Sequence, residues 1–263
     1  MDQKAIVPCR RWYQVSLKSL FVGLLIVSLP LGWATEKFRR ADRQRRVAKV
    51  IRDLGGNVEY DYEYDDYQNW SLTAGDGDQY SPPDPPGSSR IRDLLRDDDL
   101  YLGLMSQSVA KVYFWHSSTN MATGRETIYE VSDDHVLMLK NLPGLRVVEL
   151  ESQPISNAGA RHLGSIKTLQ QLNLCRTKIT DDALTTIATL PMLEELNIGG
   201  TNVSAQALKE LSSMSTLKHL SLSSDQITSV GGENLEKMFP SIEVIRYDLH
   251  EDGSLSIKTP AWP

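Results

Sequence analysis

The sequence predicts an α/β solenoid, with short parallel strands stacked on a concave face, helices on the convex face, and an apolar helix at the N-terminus. Three observations predict it. A short pattern of apolar residues returns five times: Leu145-Arg-Val-Val148-Glu-Leu150, Leu169-Gln-Gln-Leu172-Asn-Leu174, Leu193-Glu-Glu-Leu196-Asn-Ile198, Leu217-Lys-His-Leu220-Ser-Leu222 and Ile242-Glu-Val-Ile245-Arg-Tyr247. These segments start at intervals of 24, 24, 24 and 25 residues, and a fixed period in the twenties marks a coil of stacked units. In the first four, another apolar residue follows five positions on, at Ile155, Ile179, Val203 and Ile227. Each then continues into apolar residues at helical spacing, such as Leu184, Ile187 and Leu190, or Leu208, Leu211 and Met214. One strand and one helix with a single apolar side cannot bury that side alone, so stability must come from stacking on neighbours.

Taken in order, residues 1–18 form a basic segment with Lys4, Arg10, Arg11 and Lys18. Residues 19–35 carry no charge and read as a transmembrane helix, 17 residues long where roughly 17–25 are needed to span a bilayer. Trp12, Tyr13 and Trp33 stand where interfacial aromatics belong. Gly32-Trp33-Ala34 leaves a cleaved signal open as the alternative, but the cations of Glu36-Lys-Phe-Arg-Arg-Ala-Asp-Arg-Gln-Arg-Arg46 oppose translocation. The basic residues after the apolar run outnumber those before it, which places the C-terminal domain in the cytoplasm by the positive-inside rule.

Residues 36–56 read as a basic amphipathic helix or stalk, with Val47, Val50, Ile51 and Leu54 on one side and Gly55-Gly56 as its stop. Residues 57–108 read as an N-terminal cap. It begins with an alternating strand, Val58-Glu-Tyr60-Asp-Tyr62-Glu-Tyr64, and contains a Pro/Asp/Gly-rich loop over 65–90 and a helix from Ile91 to Met105. Repeats occupy 109–249. The first is degenerate: its strand is Val109 to Phe114, its helix starts near Val131-Ser-Asp-Asp-His-Val136, and an insertion lies at Trp115 to Glu130. Ser156-Asn157, Thr180-Asp181 and Thr228-Ser229 suit helix starts, because their side-chain oxygens accept free backbone N–H groups. The tail, 250–263, has lost the pattern and covers the last unit.

These units resemble leucine-rich repeats, L-x-x-L-x-L-x-x-N/C/T-x-I, and most closely the cysteine-containing subtype, whose helix opening I-T-D-x-x-L is matched by Ile179-Thr-Asp-Asp-Ala-Leu184. The ladder position of that family falls on Thr177 and Thr201, and on Gln153 and Asp225 in the flanking units. The order of apolar run, basic helix, Gly-Gly and V-x-Y-D-Y resembles the N-terminal part of a group of bacterial membrane-anchored leucine-rich-repeat proteins. That resemblance implies architecture and a membrane location but no reaction.

The composition argues against nucleic acid as a partner, with 28 basic against 34 acidic residues. Two cysteines, Cys9 and Cys175, exclude a disulfide framework. Asp65-Asp66 and Asp97-Asp98-Asp99 lack the spacing of a calcium loop, and the five histidines are scattered with no zinc-binding pairing. No Walker loop, dinucleotide fingerprint or nucleophile elbow is present, so neither an enzyme nor a cofactor, metal or small-molecule substrate is expected. What remains is surface. Strand alternation directs Glu149, Glu151, Gln171, Asn173, Cys175, Glu195, Asn197, His219, Ser221 and Arg246 toward the concave face, as the candidate site for another protein. The expected role is a membrane-anchored, non-catalytic interaction module. An exported structural component of the cell envelope and a ubiquitin-ligase-like substrate receptor are the alternatives.

Overall fold

A computed structural model describes residues 17–65, 83–105, 107–114, 117–119, 126–249 and 255–258. Its centre is an eight-stranded sheet ordered β1-β2-β5-β6-β7-β8-β9-β10. Strands β2 (Val109–Phe114), β5 (Val147–Glu149), β6 (Gln171–Asn173), β7 (Glu195–Asn197), β8 (His219–Ser223) and β9 (Glu243–Leu249) pair in parallel. The two outer strands, β1 (Gly56–Tyr60) and β10 (Leu255–Lys258), run antiparallel to their neighbours and close the two ends of the stack.

The register follows the sequence period. Val148, Leu172, Leu196, Leu220 and Val244 lie opposite one another across five strands and are all at most 2 % exposed. Each such side chain removed from water contributes roughly 1.5–3 kcal/mol, and only the adjacent turns of the coil bury it. This is the stacked geometry of a leucine-rich-repeat fold, and the degenerate first unit takes part in it, since Val112 pairs with Val148. Part of the predicted insertion forms a hairpin of β3 (Ser117–Thr119) and β4 (Glu126–Ile128).

The convex side carries short helices, Asn157–Leu163 and Asp181–Ile187, then a 3-10 helix, Ala207–Ser213. In the last full unit two helices, Ser224–Val230 and Gly232–Met238, replace one. Thr228-Ser229 therefore lies inside a helix and does not start one. The other two predicted helix starts join neighbouring units, although only Ser156 also caps its own helix, accepting from the Ala158 N–H (3.1 Å). Asp133 accepts from the Ser156 N–H (2.9 Å) and Ser156 Oγ (2.5 Å); Asn157 exchanges bonds with Thr180 (2.6 and 2.8 Å); Asp181 accepts from Ser204 N–H (2.6 Å) and Oγ (2.7 Å). The same two positions thus bridge three successive junctions along the convex edge.

The buried ladder position is polar but is not bonded continuously from unit to unit, and Gln153 Nε2 has no partner among the described residues. Thr177 and Thr201 donate to the carbonyls of Leu174 and Ile198, while the 1 % exposed Gln153 accepts from the Val131 N–H (2.8 Å). At the far end Gln226, not Asp225, takes the role, and its amide reaches the Ile198 carbonyl (3.2 Å) and Thr201 Oγ1 (3.3 Å).

The N-terminal region departs from expectation. A single 37-residue helix, Leu17–Asp53, runs through both the apolar run and the predicted stalk, with Pro30 inside it. Its second half is no stalk: Ala41, Val47, Ala48 and Ile51 are buried, closing the first strand's side of the core. The predicted helix from Ile91 to Met105 is two, Ser89–Leu95 and Asp98–Leu104. The second packs on the long helix so tightly that a Cβ on Gly103 would stand 2.7 Å from that of Ala41. Residues 61–65, expected to prolong β1, turn into helix instead. Among the described residues no helix is long and apolar enough to cross a membrane. The expected transmembrane span over 19–35 includes positions whose side chains lie outside the described set, and those described in it, including Phe21, Leu24, Ile26, Leu29, Leu31 and Trp33, are exposed. Most of the predicted loop at 65–90, the first sixteen residues and most of the tail also lie outside the described residues.

Candidate functional site

Pairing of parallel strands at equal offset places side chains of like position in rows. Glu59, Lys111, Val147, Gln171, Glu195, His219 and Glu243 form one row across β1, β2 and β5–β9. Asn57, Tyr113, Glu149, Asn173, Asn197, Ser221 and Ile245 form the other. Between them runs a shallow groove of about 290 Å³, with Glu149, Gln171, Asn173, Glu195, Asn197, His219 and Ser221 in its lining. Seven of the ten expected residues are thus brought together.

The other three are not. Cys175 was expected to face the concave side, but it is 2 % exposed. Strand β6 ends at Asn173, whose Oδ1 accepts the Cys175 N–H (3.0 Å), and the chain then turns through Arg176 at φ 58°. Alternation holds only along extended chain, so it fails past Asn173. Burial, with Glu151 nearby, pushes the Cys175 thiol up to about 12, so it stays protonated and unreactive at neutral pH. Glu151 itself stands in the equivalent turn after β5, outside the groove. Arg246 falls in the register of Leu222, on the inner side of β9, and its Nε donates to Ser224 Oγ (2.8 Å).

The cause is a one-residue slip in the last unit. Residue types align Ile245 with Leu220, yet Val244 is the residue paired with Leu220 and buried, which turns Ile245 into the groove. Lys111, Tyr113 and Glu243 also belong to the concave rows and escaped the pattern. A strict offset of 24 residues from His219 finds Glu243, and one of 36 residues from Val147 finds Lys111.

The groove is polar and already knitted across its strands. Lys111 Nζ meets Glu149 at 2.8 Å, Gln171 donates to Glu195 at 3.2 Å, and His219 Nδ1 stands 3.2 Å from Glu243. Asn173 and Asn197, equivalent positions, each accept the N–H two residues on, so their carbonyl ends shape the turn. Val147 is covered: with Ala110 it packs under Tyr64 of the helical turn at 61–65. That turn is held by Arg146, whose guanidinium reaches Asp61 (3.1 Å) and Asp65 (2.9 Å) and lies 4.6 Å from the Tyr64 ring centre. Among the described residues no group of three His, Cys, Asp or Glu could hold a metal ion.

No family model matches the chain, and no curated protein matches it. Solved structures similar to it include two internalins and a leucine-rich-repeat ectodomain. An internalin C2 from Listeria monocytogenes is 20 % identical, over 45 % of this chain and 50 % of that one, with a TM-score of 0.30. The leucine-rich-repeat ectodomain of the receptor kinase SOBIR1 from Arabidopsis thaliana is 14 % identical, over 50 % and 77 %, at 0.27. An internalin (inlF) from Listeria monocytogenes is 19 % identical, over 41 % and 43 %, at 0.25. The chain thus spans about half the length of the two internalins.

Proposed function

We propose that the chain is a non-catalytic protein-interaction module whose partner lies in the concave groove and whose N-terminal helix holds it at a membrane. One observation carries the first half. From β6 to β8 successive parallel strands present two rows of polar side chains at constant register, a surface with hydrogen-bonding groups and few aromatic anchors. Such a face suits a partner read by many polar contacts of moderate individual strength. The membrane half is supported by the exposed apolar side chains of Phe21, Leu24, Ile26, Leu29, Leu31 and Trp33, followed by the cations Lys37, Arg39, Arg40 and Arg43. On the positive-inside rule the solenoid then lies in the cytoplasm.

The test is capture of partners by the full chain in neutral detergent, comparing the native sequence with the double variant Glu195→Lys, His219→Glu. Both positions lie in the groove's lining, so the reading expects the native partner set to be lost. An unchanged set rejects the groove.

A further inference from the structure

A second cleft, of about 760 Å³, lies at the N-terminal end of the concave sheet, between β1, β2, the turn at 61–65 and the helix Asp98–Leu104. It is continuous with the groove, because Glu149 lines both. Its walls combine carboxylates with tyrosine rings, and the two cations in the lining are already engaged. Arg52 meets Asp99 (2.9 Å); Lys111 meets Glu149 (2.8 Å) and lies 5.3 Å from the centre of the Tyr113 ring. Glu63 accepts from the Tyr60 N–H (2.9 Å) and the Tyr62 hydroxyl (3.0 Å).

Glu59 differs from these. Its register partner is Lys111, but the ammonium is drawn to Glu149, and Glu59 accepts no hydrogen bond from any described residue. Burial holds its carboxyl above the ordinary 4.5, Lys111 pulls the other way, and Glu63 and Glu149 add to the rise. An ion in that position gains from a counter-ion more than a solvated one does.

The cap shows twice what such a carboxylate accepts. Lys111 is held between Glu149 and the Tyr113 ring, and Arg146 between Asp61, Asp65 and the Tyr64 ring. In both, a carboxylate and an aromatic face hold one cation together. We infer that the cleft is a third arrangement of this kind, in which Glu59, with Tyr62 and Tyr113 as walls, takes an arginine or lysine side chain from a basic segment of the partner protein. This rests on the reading of the chain as an interaction module and names the chemistry of its partner. Arginine fits better, since its planar fork matches a carboxylate and stacks on an aromatic face.

The probe is a fluorescent Gly/Ser peptide carrying two arginines, titrated by anisotropy into the full chain in neutral detergent, beside the same peptide with citrulline, which keeps the shape and loses the charge. The arginine peptide binds and the citrulline peptide does not. Glu59→Gln weakens binding roughly tenfold, as expected for one charge-assisted contact. Tyr62→Leu, which keeps every charge, weakens it about threefold. Glu194→Gln, outside both the groove and the cleft, removes the same charge from an exposed pair with Lys218 and changes binding less than about twofold. No binding, equal binding of the citrulline peptide, or equal weakening by Glu59→Gln and Glu194→Gln overturns the inference. Weakening by Glu194→Gln alone also overturns it while leaving the groove reading intact. The groove reading fails separately if the charge-reversal capture leaves the partner set unchanged.

Discussion

Between Leu145 and Ser223 each structural task is done several times by the residue at one repeat position, whereas between Ala41 and Phe114 nearly every contact is made once. In the repeats Leu172, Leu196 and Leu220 fill one row, Thr177 and Thr201 bond equivalent carbonyls, and Asn157 and Asp181 each clamp the next unit. In the cap, Arg45 to Asp97 (3.0 Å), Arg52 to Asp99 (2.9 Å) and Gln44 to the Gln107 carbonyl (3.1 Å) have no counterpart among the other described residues. The difference teaches where polar invention is tolerated. A repeat unit must match both neighbours, so its interior is restricted to the few residues that satisfy the register. A cap meets the stack on one side only and is free to place charges around tyrosines on the other.

The sharpest way to break this comparison is to ask whether the long helix belongs to the fold at all. Ile51 is 1 % exposed and packed in the same core as the repeats. Ile51→Asp would bury an unpaired charge there and lower stability by about 4 kcal/mol or more, measured as a shift in urea midpoint at unchanged slope. If residues 36–56 were only a tether, the same substitution would stay within about 0.5 kcal/mol.

A smaller effect sharpens the other half of the comparison. If neighbouring units are clamped along the convex edge, Asp181→Ala loses two bonds to Ser204. Because both groups are exposed, the expected loss is about 1 kcal/mol. A cycle with Ser204→Ala isolates the coupling, and additivity of the two single variants would show that the bridge between units contributes nothing.

What could be read from the sequence follows the same division. Leu172, Leu196 and Leu220 were legible as interior because a 24-residue period compares each with its own copies. The amphipathic side of the long helix was legible too, through Val47 and Ile51, but not what it packs on, since contact with the helix Asp98–Leu104 bridges some fifty residues that no periodicity links. Cys175 and Arg246 were misplaced for physical reasons. The three-residue strand β6 ends two residues before Cys175, and β9 is the last parallel strand, so its pattern is no longer held by a following repeat. The aromatic cleft around Glu59 was invisible, because Glu59 meets Lys111 only through antiparallel pairing of β1 with β2.

The smallest predicted effect concerns the turn that hides Cys175. Ser152, Arg176 and Gly200, spaced 24 residues apart, take φ 59°, 58° and 67°. The turn therefore demands the left-handed region in these three units, until the helix Ser224–Val230 replaces it in the next, and only the third has the residue that occupies it without strain. Holding a side-chain-bearing residue there disfavours the fold by about 1 kcal/mol, partly offset by the greater freedom glycine has in the unfolded chain. Arg176 is exposed, so Arg176→Gly removes little packing and should raise stability by roughly 0.5 kcal/mol, while Gly200→Ala should lower it by about 1 kcal/mol. Opposite shifts in urea midpoint would show that repetition of backbone geometry, more than of residue type, defines the unit; shifts of the same sign would mean that the turn relaxes around whatever residue it is given.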